Sequence, residues 1–269
     1  MNNTLKLGSR GDDVKTLQRL LGITADGIFG KQTESAVIAY QRKNGLVADG
    51  IVGAKTWIAL QSQPQSDGDV RIVPAYIYNH IRRLPNRAVK YIAIHYTAGT
   101  TSKAGTAVGV SNLFQHNPRP ASADFVVDDA TIVQCNPDID NYYCFSVGDK
   151  YNKYSGGGQL YGTATNRNTV SIEICSNMKA GMPRDAAKYA NHGGWYFTEA
   201  SLDNALKLVR YLMKKHGVPK ERVVRHYDVS GKVCPGIIGW NDCTTYTFNG
   251  TATNVRSTSD DWKKFWNKI

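Results

Sequence analysis

The apolar positions of this chain change their period near residue 70. Before it they recur at helical spacing, with Val14, Leu17, Leu20 and Leu21 on one stripe and Ala36, Val37 and Tyr40 on another. The first stripe predicts a helix over 12–21, capped by Ser9 or Asp12. The second predicts a helix over 31–43 that Gly45 ends, and a third short helix is expected over 54–60. The turns between them repeat. Ala25-Asp-Gly-Ile-Phe-Gly-Lys-Gln-Thr33 returns 23 residues later as Ala48-Asp-Gly-Ile-Val-Gly-Ala-Lys-Thr56. In each copy Asp-Gly makes a tight turn, an apolar side chain plugs the core, and a second glycine leads into a helix. So small a core makes a marginal domain, expected to be a module and not the seat of chemistry.

Residues 61–69 are polar, carry a Pro and a Gly, and lack large apolar side chains. A linker is therefore expected over 62–74, between a three-helix domain at 1–61 and a larger domain at 75–269. In the larger domain strands and helices alternate. The nearly continuous apolar run 89–95 predicts a central strand covered on both faces. A helix is expected over 107–116, a hairpin from 123–128 and 130–134 with Asp128-Asp129 in its turn, and a further strand at 169–174. Residues 136–168 are rich in Asn, Tyr and Gly with little pattern, which predicts functional loops rimming a site. Thr198 is a good N-cap for a helix whose core stripe is Leu202, Ala205, Leu206, Val209, Leu212 and Met213, ended by Gly217. Residues 222–226 read as a strand. The tail 262–269 reads as a helix with Trp262, Phe265, Trp266 and Ile269 turned inward onto the domain.

Composition narrows the function. With 269 residues, 41% of them hydrophobic, the chain can fill one sizeable core and a small satellite. Its formal charge of +11, from 33 basic and 22 acidic residues, suits polyanionic surroundings, whether nucleic acid, anionic lipid or an acidic cell-wall polymer. Lys214-Lys215 and Lys263-Lys264 are short pairs on polar helix faces, so no basic patch argues for nucleic acid. No run approaches the ~18 apolar residues of a transmembrane helix, and the first residues lack the apolar core of a signal peptide. The five cysteines, at 135, 144, 175, 234 and 243, are an odd number, which fits a reduced compartment or a metal thiolate better than a disulfide framework.

The chemistry concentrates in His226-Tyr-Asp-Val-Ser-Gly-Lys232-Val-Cys234-Pro-Gly236, which sets an imidazole and a thiol eight residues apart. His95, near the end of an apolar strand, adds a second imidazole. Two histidines and a cysteine form a three-ligand catalytic zinc set with the fourth position open to water. Most His and Cys residues are not ligands; the strand-end position of His95 and the nearby acid Glu173 strengthen the metal reading. Water on such a site can be deprotonated near neutrality and attack a polarised carbonyl. Glu173 could then shuttle the proton, and Lys232 could stabilise the tetrahedral oxygen. The alternatives are a buried glutamate satisfied by a Tyr or Asn, and a surface lysine.

Two resemblances add to this. Gly8-Ser-Arg-Gly11, Val14-x-x-Leu-Gln18, Asp26-Gly-Ile-Phe-Gly30, Ala36-Val-x-x-Tyr-Gln41 and Gly45-Leu-x-x-Asp-Gly50 resemble the peptidoglycan-binding-like three-helix domain, which in its family tethers a hydrolase to the wall. Tyr91-Ile-Ala-Ile-His-Tyr-Thr-Ala98, Val170-Ser-Ile-Glu-Ile174 and the 226–236 motif resemble the zinc-dependent N-acetylmuramoyl-L-alanine amidases, a family that includes phage lysozyme-type amidases and is similar to peptidoglycan recognition proteins. That resemblance, over about 85–245, implies an α/β fold: a mixed, mostly parallel central sheet flanked by helices. It implies one Zn2+ per chain on His95, His226 and Cys234, catalysis by Glu173 and Lys232, and hydrolysis of the amide between N-acetylmuramic acid and L-alanine of bacterial peptidoglycan. The chain departs from the pattern twice. It lacks a tyrosine that some members carry at the strand beginning Ala123-Asp124-Phe125, and Tyr143-Cys-Phe-Ser146 stands roughly where many relatives have a Trp-His pair. The expected setting is a phage or prophage endolysin held in the host cytoplasm until release and acting as a monomer at the wall. An autolysin, a sporulation hydrolase or a non-catalytic wall-binding protein are the alternatives.

Overall fold

The computed structural model describes residues 3–61, 65–67, 70–98, 101–148, 150–152, 155–181, 191, 193–243, 246–248, 251–253 and 257–269. It divides into two compact units, Met1–Gln65 and Ser66–Ile269.

In the first unit, α1 (Asp12–Leu20), α2 (Lys31–Lys43) and α3 (Ala54–Gln61) enclose Leu5, Val14, Leu17, Phe29, Val37, Val52, Trp57 and Leu60. The repeat has a hydrogen-bonding cause. Buried Gln18 donates Nε2 to Asp26 Oδ1 at 2.7 Å, Ile28 O at 3.0 Å and Thr33 Oγ1 at 3.0 Å, while its Oε1 accepts from Gly27 N at 2.9 Å. Gln41 does the same for the second turn, with Asp49 at 3.0 Å, Ile51 O at 2.9 Å, Thr56 at 3.2 Å and Gly50 N at 2.9 Å. Each Asp-Gly turn is therefore folded around one buried amide whose donors and acceptor are all used. The backbone N–H groups of Ile28 and Ile51, followed by these glutamine amides, hold the carboxyls of Asp26 and Asp49 below the usual carboxylate range.

The unit boundary falls within β1 (Gln65–Asp67), and the second unit continues with β2 (Val70–Pro74), β3 (Ile81–Arg83), β4 (Tyr91–Thr97), α4 (Thr106–His116), β5 (Phe125–Val127), β6 (Ile132–Gln134), β7 (Tyr142–Cys144), β8 (Thr169–Cys175), β9 (Asn177–Met178) and β10 (Trp195–Tyr196). After these come α5 (Glu199–His216), β11 (Val223–Arg225), α6 (His226–Ser230), β12 (Tyr246–Phe248), β13 (Thr251–Thr253) and α7 (Asp260–Asn267). The main sheet runs β1-β2-β6-β5-β8-β4-β11. Its interior pairs are parallel except for the β5–β6 hairpin, so the sheet is mixed and mostly parallel. Val70–Pro74, within the stretch read as a linker, is thus a sheet strand with Val70 and Ile72 in the core.

Alternation along the strands gives the sheet two unlike faces. Ile92, Ile94, Val170, Ile172 and Ile174 pack against Ala205, Leu206, Val209 and Leu212 of α5 and against Trp262 and Phe265 of α7. Thr198 caps α5 by accepting from Ser201 N, and Gly217 ends it in the left-handed region. The C-terminal helix is docked, with Trp262 and Phe265 buried and the Lys220 ammonium 4.2 Å from the Trp266 ring centre. On the opposite face lie Ala93, His95, Ser171 and Glu173. Val147, Leu160 and Ala164, from the Asn/Tyr/Gly-rich stretch, pack there with Ala93, Val224 and Val229. Gly157 of that stretch approaches α6 so closely that a Cβ would stand 2.4 Å from the Tyr227 carbonyl oxygen.

Below this face sits a buried ion pair. Arg87 Nη1 lies 3.1 Å from Asp124 Oδ1, both side chains being fully inaccessible. Arg87 also donates to the carbonyls of Arg167, Ile139, Tyr142, Asn166 and Thr169. Asp124 accepts from Asn136 Nδ2 at 2.7 Å and from Ser171 N at 2.9 Å and Oγ at 3.0 Å. The pair ties the loop carbonyls of Ile139, Asn166 and Arg167 to the first residues of β7 and β8, and its Asp124 holds β8 at Ser171, two residues before Glu173.

Candidate metal centre

Three neighbouring segments deliver the candidate residues. His95 is the fifth residue of β4, and the β4–β8 register sets Glu173 directly opposite it. On the other side of β4, Arg225 pairs with Ile94, so the next residue, His226, arrives beside His95. The sequence places His226 at the end of a strand, but in the structure the strand stops at Arg225. His226 opens α6, because Asp228 folds back on Arg225: Oδ2 accepts from Arg225 N at 2.8 Å and Nε at 3.0 Å, and Oδ1 from Nη2 at 2.6 Å. That capping interaction turns the chain as it leaves the sheet. An Arg and an Asp three apart at the head of a short segment were a legible sign of it. Cys234 follows in a loop whose carbonyl accepts from Tyr227 N at 3.0 Å.

His95, His226 and Cys234 are all buried, and one donor atom from each lies within 4.8 Å of the others. The Cys234 sulfur is 3.7 Å from His95 Nδ1, and the two imidazole centres are 4.6 Å apart at 56°. Such a set of two imidazoles and one thiol can hold a metal ion. Glu173 Oε1 is 4.0 Å from His95 Nδ1, and its side chain keeps 18% exposure. Its Oε2 is buried with no hydrogen-bond partner among the described residues. Burial pushes its pKa up to about 8, against the opposing pull of Lys232. Lys232 is exposed, on the loop between α6 and Cys234, near enough for its charge to act on Glu173.

The other cysteines stand apart. Cys243 is buried with Tyr227 and Val233. Cys135, Cys144 and Cys175 sit in an apolar cluster with Ile77, Val110 and Val126, where burial raises all three thiol pKa values, those of Cys135 and Cys175 to about 12. None of the four belongs to the donor set.

A profile of the peptidoglycan binding domain matches residues 10–60, and a profile of N-acetylmuramoyl-L-alanine amidase matches 85–237. Among curated relatives, N-acetylmuramoyl-L-alanine amidase CwlH of Bacillus subtilis (strain 168) is 33% identical over 55% of this chain and 48% of its own length. N-acetylmuramoyl-L-alanine amidase CwlA of the same strain is 31% identical over 54% of this chain and 43% of its own length. The chain thus spans about half the length of the curated relatives it matches. The solved catalytic domain of XlyA aligns over 74% of this chain and 99% of that one, at 23% identity and a TM-score of 0.48. The amidase profile takes in more than half of the 269 residues, including both histidines, Glu173, Lys232 and Cys234, and the chain belongs to the N-acetylmuramoyl-L-alanine amidase family.

Proposed function

We propose that the chain hydrolyses the amide between the lactyl carbonyl of N-acetylmuramic acid and the stem L-alanine of bacterial peptidoglycan, with one Zn2+ held by His95, His226 and Cys234. The observation that carries this reading is the convergence of those three buried donors beside Glu173, in a chain of the amidase family. The donor set fits zinc. A tetrahedron with Zn–N of about 2.0 Å and Zn–S of about 2.3 Å has an N···S edge of about 3.5 Å, against 3.7 Å between His95 Nδ1 and the Cys234 sulfur. A bound zinc ion would supply a Lewis acid for the carbonyl and lower the pKa of water to near neutrality.

The protein groups do the rest. Glu173 takes a proton from the attacking water and returns it to the leaving amine. Burial lifts this carboxyl to about 8 in the metal-free site, and the positive charge of a bound ion would draw it back toward neutrality, where one group can serve both halves of that transfer. Lys232, exposed and near enough for its charge to act on Glu173, stabilises the negative charge that builds on the carbonyl oxygen. The N-terminal unit holds the enzyme on peptidoglycan, and the basic surplus favours anionic wall polymers. The cellular setting in this proposal is a phage or prophage endolysin. Stripping the protein with a chelator and adding back zinc tests the assignment: activity should vanish and return at one equivalent per chain. Full activity in metal-free protein would refute it.

A further inference from the structure

The loop that presents Cys234 is held by three consecutive carbonyl groups, each bound from a different part of the chain. The Cys234 carbonyl accepts from Tyr227 N at 3.0 Å, the Pro235 carbonyl from Asn241 Nδ2 at 2.9 Å, and the Gly236 carbonyl from Asn191 N at 2.7 Å. The last two donors belong to asparagines that also grip each other. Asn191 Nδ2 donates to Asn241 Oδ1 at 3.1 Å, and Asn241 Nδ2 donates to Asn191 Oδ1 at 2.8 Å. Asn241 Oδ1 accepts a second bond, from Cys243 N at 3.1 Å. Every donor and acceptor of the Asn241 side chain is therefore used.

Both asparagines are buried, at 1% and 0% exposure, where an unmatched amide would be costly. Asn191 has φ of 59°, a left-handed conformation that asparagine and glycine adopt more readily than other residues. On its far side the loop is pressed onto β4. A Cβ at Gly236 would stand 2.3 Å from the hydroxyl oxygen of Tyr96, the neighbour of His95.

We propose that Asn191 and Asn241 are positioning residues for the metal centre, acting on the Cys234 thiolate through the backbone of its loop. This rests on the reading of Cys234 as a ligand. Neither asparagine needs to touch the ion: they remove the freedom that the thiolate would otherwise lose on binding it. Outer residues of this kind typically change metal affinity by about 10–100-fold.

The test is a competitive zinc titration of the full chain, using a chromogenic chelator, on wild type, Asn241→Ala, Asn191→Gly and the double variant. Asn191→Gly keeps the left-handed backbone and its N–H bond to Gly236 while deleting the amide partner. Each single variant should bind zinc about 10–100-fold more weakly, and the double variant no more weakly than Asn241→Ala, since one shared contact is lost. Cobalt-substituted Asn191→Gly should show a weakened thiolate-to-metal charge-transfer band while the metal-free protein melts near the wild-type temperature. If Asn241→Ala does not fold, Asn191→Gly decides alone. Zinc affinity within twofold of wild type in Asn191→Gly would overturn the positioning role and leave the cluster intact. A wild-type chain that binds no zinc would instead overturn the reading on which it rests.

Discussion

His95 and Glu173 stand opposite each other in the register of two parallel strands, with Nδ1 and Oε1 4.0 Å apart. That pairing puts a carboxylate beside the candidate donor set without making it one of them. Glu173→Ala should lower turnover by about 10²-fold or more, the usual loss for a positioned general base, with zinc content unchanged. Lys232→Ala should cost a similar order through the lost oxyanion contact. Steady-state rates and elemental analysis on the same preparations check both. Near-normal activity in Glu173→Ala would mean that another group carries the proton.

The two cysteines of the 234–243 loop should part company. Cys234→Ser is expected to abolish both activity and bound zinc while the far-UV circular dichroism is preserved. Cys243→Ser should keep one zinc per chain, because Cys243 packs on Tyr227 and Val233 outside the donor set.

Arg87→Met should destabilise the second unit by about 3–5 kcal/mol, since it leaves Asp124 charged and buried without its partner. Guanidinium denaturation measures this. The candidate metal centre is two strand positions away through Ser171, so the folded fraction should still bind metal.

Removing the N-terminal unit should separate binding from chemistry. Residues 66–269 alone are expected to cleave soluble muropeptides nearly as fast as the whole chain but to clear intact walls more slowly, because the module raises the local concentration of substrate. Equal wall-clearing rates at low enzyme would make the first unit structural.

Much of this was legible in the sequence because it was written locally. The helical stripes, the Asp-Gly repeat, the Thr198 cap and the apolar runs of β4 and β8 each depend on neighbours within a few residues. The grouping of His95, His226 and Cys234 was readable for a different reason: two imidazoles and a thiol are scarce chemistry, and their motifs mark them. What escaped depends on contacts far apart in the chain. Arg87 satisfies carbonyls up to 82 residues away, and Asn191 meets Asn241 across 50. No spacing announces either. Gln18 and Gln41 are intermediate, since they recur with the repeat, but only the structure explains them as the amides inside the two turns. The β11 boundary was misplaced because the Arg225–Asp228 bonds end the strand one residue before His226.

The most direct measurement is mass spectrometry of purified peptidoglycan digested by the zinc-loaded chain. Amidase chemistry should release free peptides with new L-alanine amino termini and leave the glycan strands unbroken. New reducing ends, or new amino termini on residues other than that L-alanine, would contradict it.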